Sequence, residues 1–186
     1  MATKYYRDFS ISFKRADSDD KDILSNFECE NQSIRNFARH SSIKSKKDVT
    51  YLFIDDEANA VIGFCSIRCS GISITEFEED DENKPYTSTI PAVEISCFAI
   101  DERYRKIPID ENSKKYETVS HALFLYMLNY IKGISADTVG ATHVCLYSVQ
   151  RAKNFYKECD FLEFSEYMKR DEKPYIKNCI PMFYVI

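Results

Sequence analysis

The stretch from Ala92 to Ser148 limits the possible folds more than any other part of the chain. "AVEISCFAID" (Ala92–Asp101) and "THVCLYS" (Thr142–Ser148) both read as strands, and a long helix covers about Lys115–Ile134 between them. A strand, a crossover helix and a second strand make a βαβ unit, which puts a parallel pair into the sheet. The helix carries Val119, Ala122, Leu123, Tyr126, Met127, Tyr130 and Ile131 on one stripe. Phe124, Leu125 and Leu128 widen that stripe, so burial on two sides is expected.

The first half has a different rhythm. "FSISFKRA" (Phe9–Ala16) alternates apolar and polar residues, as a half-buried strand does. One or two helices fill Asp20–Lys46, where Ile34, Phe37 and Ala38 recur at helical spacing. "TYLFID" and "AVIGFCSIRCS" follow as a hairpin around the turn "DEAN". "ITEFEEDDENKPYTSTIP" (Ile74–Pro91) is polar, acidic and closed by proline, and reads as a loop or lid. Near the end, "VQRAKNFYKEC" reads as a short helix capped by Ser148, and "FLEFSEYM" and "IPMFYVI" as strands. The expectation is an α/β (α+β) chain: a mixed, mostly antiparallel sheet of about six to seven strands with helices on both faces. No repeat or linker divides it, so a single domain spans 1–186.

Composition narrows the function classes. With 44% hydrophobic and 14% aromatic residues, 186 residues are enough to bury a core. A formal charge of −5 argues against non-specific nucleic-acid binding, which needs dense Lys and Arg. Seven cysteines form no paired framework and mostly sit in apolar runs, which points to a reducing, cytoplasmic setting. "MATKYYRDFSISF" has no apolar signal core and no apolar run reaches about 18 residues, so no membrane role is expected. His40, His121 and His143 lack metal-ligand spacing.

The crossover after Asp101 raises a question of its own. A strand leading into a helix N-terminus is a common phosphate site, because unpaired backbone N–H groups point outward there. Such loops use glycine to let the backbone approach the ligand, yet no glycine lies between Asp101 and Leu128. Charge is supplied instead by Arg103, Arg105, Lys106, Lys114 and Lys115, and Asn112 or Ser113 is placed to open the helix. Pro108 removes one N–H donor and stiffens the path.

"RAKNFYKECDF" (Arg151–Phe161) carries a family resemblance. It is similar to the "A-x-x-FY-x-x-x-GF" signature of GNAT-superfamily N-acetyltransferases, matched at Ala152, Phe155, Tyr156 and Phe161. Asp160 replaces the signature glycine, and aspartate is among the few residues that tolerate a left-handed helix end. "IPAVEISCFAIDERYR" resembles the family's fourth strand and the start of its acetyl-CoA loop. The stretch from Glu28 to Ile67 resembles the first half of the toxin-like branch. The resemblance implies a sheet whose fourth and fifth strands splay around acetyl-CoA, the co-substrate. The pantetheine arm would run along the main chain of Ser96, Cys97, Phe98, Ala99 and Ile100. The pyrophosphate would lie over Arg103–Lys115, touched by Arg103, Arg105, Lys106, Ser113, Lys114 and Lys115. The implied reaction is direct acyl transfer to a primary amine.

Two side chains carry the implied chemistry. Tyr156 would protonate the departing CoA thiolate, and Glu94, on the strand face of Ser96 and Phe98, would take a proton from the amine through water. Cys97 and Cys145 have no visible base to make them nucleophiles, and read as buried hydrophobes. The acidic run "TEFEEDDEN" reads as a solvated loop that could also attract a cationic acceptor. Lys44, Lys46 and Lys47 form a small basic cluster, in the half that contacts RNA in toxin-like relatives. The acceptor is a small-molecule or protein amine, with RNA less favoured by the acidic total. The alternatives are a catalytically impaired GNAT-fold binding module and a toxin-like acetyltransferase of a toxin–antitoxin pair. If "PMFYVI" lies at a sheet edge, it can pair across a homodimer.

Overall fold

The computed structural model describes residues 4–78, 81–114, 117–164 and 178–186. Its elements run β1 (Ile11–Arg15), α1 (Lys21–Ser25), α2 (Gln32–His40), β2 (Val49–Asp55), β3 (Ala60–Glu78), β4 (Asp81–Ile100), α3 (Val119–Ile134), β5 (His143–Ser148), α4 (Lys153–Lys157), β6 (Leu162–Glu163) and β7 (Ile180–Val185). The strands form one mixed seven-stranded sheet in the order β1-β2-β3-β4-β5-β7-β6. β4 and β5 pair in parallel, and β1–β2, β2–β3, β5–β7 and β6–β7 pair antiparallel. The expected class and element order are those observed.

The chain clusters into two compact units, Met1–Arg68 with Ser96–Asn129 and Cys69–Ile95 with Tyr130–Ile186. In the first, Asn31 starts α2 by accepting hydrogen bonds from the Ser33 and Ile34 N–H groups. That sets Ile34, Phe37 and Ala38 against a core of Leu24, Phe27, Leu52 and Phe64. Each fully buried side chain of this size stabilises by about 1.5–3 kcal/mol, and Phe27 meets Phe64 edge-on at 5.2 Å. The "DEAN" turn forms as read. Asp55 Oδ1 accepts from the Glu57 and Ala58 N–H groups, and Asn59 takes a left-handed φ of 47°. In the second unit, Ile72, Ala92 and Cys145 form a smaller core with Ile74, Ile90, Phe164 and Phe183 against it.

Several expectations are corrected. The stretch expected as a loop over 74–91 is strand in its described residues: β3 runs to Glu78 and β4 starts at Asp81. Buried Ile72 and Ala92, with Ile74 and Ile90 packed on them, supply the apolar face that the acidic content hid. In α3, Leu125 and Tyr126 are 46% and 49% exposed, because the buried stripe runs Val119, Leu123, Phe124, Met127, Leu128 and Ile131. That helix begins at Val119, and Asn112 and Ser113 do not open it. Ser148 does not cap α4, since its hydroxyl donates to the Val149 carbonyl and a 3₁₀ turn, Gln150–Ala152, comes first. β7 lies between β5 and β6 and not at the sheet edge, the position that pairing across a dimer was expected to need. The rest of "FLEFSEYM" beyond Phe164 lies outside the described residues.

Candidate functional site

The first unit holds the end of β4 and the crossover. Two backbone devices fix their position. A bulge between Phe53 and Ile54 of β2 faces an extra β3 residue, Ile62, whose carbonyl accepts the Asp101 N–H at 2.8 Å. One residue on, a Cβ at Gly63 would lie 2.8 Å from the Ala99 carbonyl oxygen and would strike Ile100, so only glycine allows β3 and β4 this close. Of the strand residues expected along pantetheine, Ser96 donates its hydroxyl to the Ser66 carbonyl at 3.2 Å. Phe98 packs edge-on against Phe124 at 5.0 Å, and Ile100 is buried. Burial pushes the Cys97 thiol up to about 12, helped by the nearby Cys29 and Asp48. A thiol so held stays protonated at neutral pH, which agrees with the reading of Cys97 as a hydrophobe.

The crossover is a closed finger. Asp101, with 0% of its surface exposed, organises the base. Its carboxylate accepts from the Glu28 N–H at 2.9 Å and the Arg103 N–H at 3.0 Å. The Arg103 guanidinium forks onto it at 2.8 and 3.0 Å. Asp101 thereby holds Arg103 above its ordinary pKa range. Arg105 reaches Glu30 at 3.3 Å, and its carbonyl accepts the Ser120 hydroxyl. Further out, Ile107–Ile109 runs against Glu117–Val119: the Ile109 N–H donates to Glu117 O, and the Val119 N–H to Ile107 O at 2.8 Å. Asp110, Asn112 and Ser113 close the tip, with Asp110 Oδ1 accepting from the Asn112 N–H and Ser113 Oγ accepting from the Asp110 N–H. The N–H of the first residue of α3, which an anion-binding helix start presents to its ligand, is therefore already used. Lys106 is exposed and has no ion pair among the described residues, the Lys114 N–H donates to Glu117 Oε2, and Lys115 lies outside the described residues.

The second unit holds the two catalytic candidates. Glu94 pairs with Cys145 across the β4–β5 register, which runs from Ala92↔His143 to Ile95↔Leu146 and stops there. Its side chain is 7% exposed and accepts a hydrogen bond from Ser70 Oγ at 3.2 Å. Tyr156 lies on α4, and the end of that helix positions it. The Phe161 N–H donates to Tyr156 O, and the Asp160 N–H to Lys157 O. Asp160 sits at φ 65° between them, as the sequence predicts. This is a Schellman ending, in which the residue after the left-handed position folds back onto the last turn. Buried Phe161 accordingly packs 6.0 Å from the Tyr156 ring, and Phe155 packs edge-on against it at 5.1 Å.

No protein-family model and no curated protein matches the sequence. The fold does match solved structures. One is AtaT complexed with acetyl-methionyl-tRNAfMet, with TM-score 0.65 and 18% identity over 95% of both chains. Another is AtaTR bound with AcCoA, with TM-score 0.63 and 18% identity over 96% of this chain and 94% of that one. A third is an acetyltransferase of the GNAT family from Staphylococcus aureus Mu50, with TM-score 0.50 and 12% identity over 95% and 99%. The chain has the GNAT fold.

The GNAT fold is legible in the sequence, but three residues that shape its candidate site are not. In the sequence Asp101 is only the acid ending a strand, although it gathers the crossover's backbone and Arg103. Gly63 is one residue inside a hairpin strand. Tyr104 is the third: its hydroxyl donates to buried Asp55 at 3.1 Å, and burial pushes it up to about 12. The aspartate and tyrosine signals exist only through partners far away in the chain. Glycine in a strand interior is itself a sign of close backbone approach, and Gly63 could have been found that way. Among the described residues, no three His, Cys, Asp or Glu side chains gather as metal ligands would, and no helix is long and apolar enough to cross a membrane.

Proposed function

We propose that this chain is an acetyl-CoA-dependent N-acetyltransferase of the toxin-like kind, whose acceptor is the α-amine of an aminoacyl-tRNA. The observation that carries this is the backbone likeness, over 95% of the chain, to AtaT in complex with acetyl-methionyl-tRNAfMet. The amine, neutral at the moment of attack, forms a C–N bond with the thioester carbonyl carbon. Collapse of the tetrahedral adduct breaks the C–S bond, and the thiolate takes the Tyr156 phenol proton. Glu94 accepts the amine proton through water, and both groups re-equilibrate with solvent. Main-chain groups of Ser96–Ile100 hold pantetheine as an added strand would. Lys106 and Lys114 meet the phosphates in place of a glycine-lined cradle.

The test is transfer of labelled acetyl groups from acetyl-CoA to bulk aminoacyl-tRNA. Expected is acid-precipitable label, reduced about 10²–10⁴-fold in Tyr156→Phe with acetyl-CoA affinity kept. Full activity in that variant removes the tyrosine from the mechanism. Glu94→Gln is expected to shift the acid limb of the pH–rate profile, and an unchanged profile excludes the carboxylate as base.

One observation favours a second reading. The crossover spends its arginines on Asp101 and Glu30 and the Val119 N–H on Ile107 O, as a GNAT-fold binding module that has given up its co-substrate would. Thermal stability with acetyl-CoA separates the two, since a ligand that prefers the native state raises its melting temperature. No shift at a thousandfold excess over a ~1 μM constant favours the module.

A further inference from the structure

In the first unit, an open cavity of about 270 Å³ lies where α1 begins and α2 ends, lined by Lys21, Arg39, His40, Ser42, Ile43 and Lys44. Four of the six can carry positive charge, and none is a carboxylate. Glu28, which holds Arg35 at 2.9 Å, also pairs with Arg39 of the cavity, and Asp20 holds Lys14 at 3.1 Å and the Asp17 N–H at 2.9 Å. Lys21 and Lys44 are exposed and have no ion pair among the described residues. In a chain of net charge −5, two lysines without ion pairs among the described residues, on a concavity with no carboxylate in its lining, stand out from the acidic balance.

We infer that this cavity is a phosphate-binding site for the backbone of an RNA, a contact separate from acetyl transfer and resting on the RNA-acceptor reading above. Exposed Lys46 and Lys47 continue the charge along the same loop, also without ion pairs among the described residues. A row of cations fits a polymer of repeated phosphates better than one free anion. A lipid surface fits poorly, because none of the exposed large hydrophobic side chains among the described residues falls between Lys21 and Lys47. The end of α2 contributes roughly half a negative charge, which the Lys21 and Lys44 ammonium groups outweigh. Arg39 is the least free of them, since it also donates to the Phe27 carbonyl at 3.0 and 3.1 Å. The lysines are therefore the groups to change.

The experiment measures binding of deacylated bulk tRNA against salt, for the wild type and for a Lys21→Gln/Lys44→Gln double variant. Both sites are exposed, and unchanged melting temperatures confirm folding. The expected result is a tRNA affinity at least tenfold weaker at 0.1 M salt, with the slope of log K against log salt reduced by about 2. The acetyl-CoA thermal shift stays as in the wild type. Unchanged tRNA binding in the variant, or no tRNA binding by the wild type, overturns the site. Loss of the acetyl-CoA shift with tRNA binding intact also overturns it, assigning the cavity to the co-substrate's phosphates. Transfer to methioninamide, an amine without phosphate, is measured in parallel. Absent transfer with lysine-dependent tRNA binding defeats the proposed activity and leaves the site standing.

Discussion

Two places in this chain meet a helix end where the GNAT pattern calls for glycine, and they respond in opposite ways. At the end of α4, a single left-handed residue is needed, and Asp160 supplies it at φ 65° with both Schellman hydrogen bonds intact. At the approach to α3, several consecutive N–H groups would have to face a ligand, and none of the residues there is glycine. The backbone instead pairs with itself in a finger, and a buried carboxylate, Asp101, does the organising. One left-handed φ costs an aspartate about 1 kcal/mol and leaves the motif standing. A run of exposed N–H groups has no such substitute, so the protein satisfies them internally.

The thiols flanking these two places give the largest expected effect. Burial pushes Cys97, on the strand that leads into the crossover, and Cys159, inside the α4 ending, each up to about 12. At pH 9 their thiolate fractions are about 10²–10³-fold below that of an ordinary thiol. Exposed Cys69 should therefore be alkylated by iodoacetamide while Cys97 and Cys159 stay silent, as read by peptide mass spectrometry. The sign for stability follows: the unfolded thiols ionise near 9 and the folded ones do not. Their contribution is complete below about pH 9 and is lost as pH rises toward 12. Alkylation of Cys159 at the rate of Cys69 would mean that the α4 ending opens readily, and would break the contrast drawn above.

Asp101→Ala is the next largest. It removes the acceptor of two backbone N–H groups and a forked guanidinium, and an expected loss of about 2–3 kcal/mol follows from charged hydrogen bonds of this kind. Urea denaturation measures it. If the loss is below about 0.5 kcal/mol, the finger is held by its strand pairing and not by the carboxylate.

The same contrast explains what the sequence showed in advance. Local signals were readable: the helical spacing of Ile34, Phe37 and Ala38, the turn at Asn59, and the tolerance of Asp160 for a left-handed φ. Long-range pairings were not. Nothing in "RYRKIPIDENSKKYE" reveals that Val119 N–H will meet Ile107 O, so the sequence alone puts the helix start too early. The acidic stretch after Ile74 hid the extensions of β3 and β4 because only a few apolar positions, Ile72, Ile74, Ile90 and Ala92, keep the alternation. For the candidate site, Tyr156 could be placed because its position depends on the next five residues. Asp101 could not, because its partners include Glu28, 73 residues away.

The smallest effect tests the first half of the comparison most directly. Asp160→Gly restores the residue the family signature carries. It relieves the left-handed strain of about 1 kcal/mol, while glycine's greater freedom in the unfolded chain takes back part of that gain. A net stabilisation of about 0.3–0.8 kcal/mol is expected, seen as a higher urea midpoint with an unchanged slope. Removing the carboxylate also removes one of the charges that raise the Cys159 thiol, so its pKa should fall. Because burial is the larger cause, Cys159 should remain slow to alkylate in the variant. A destabilised Asp160→Gly protein would show that the aspartate side chain holds the α4 ending through its carboxylate. The two helix ends would then be organised in the same way, each by an acid.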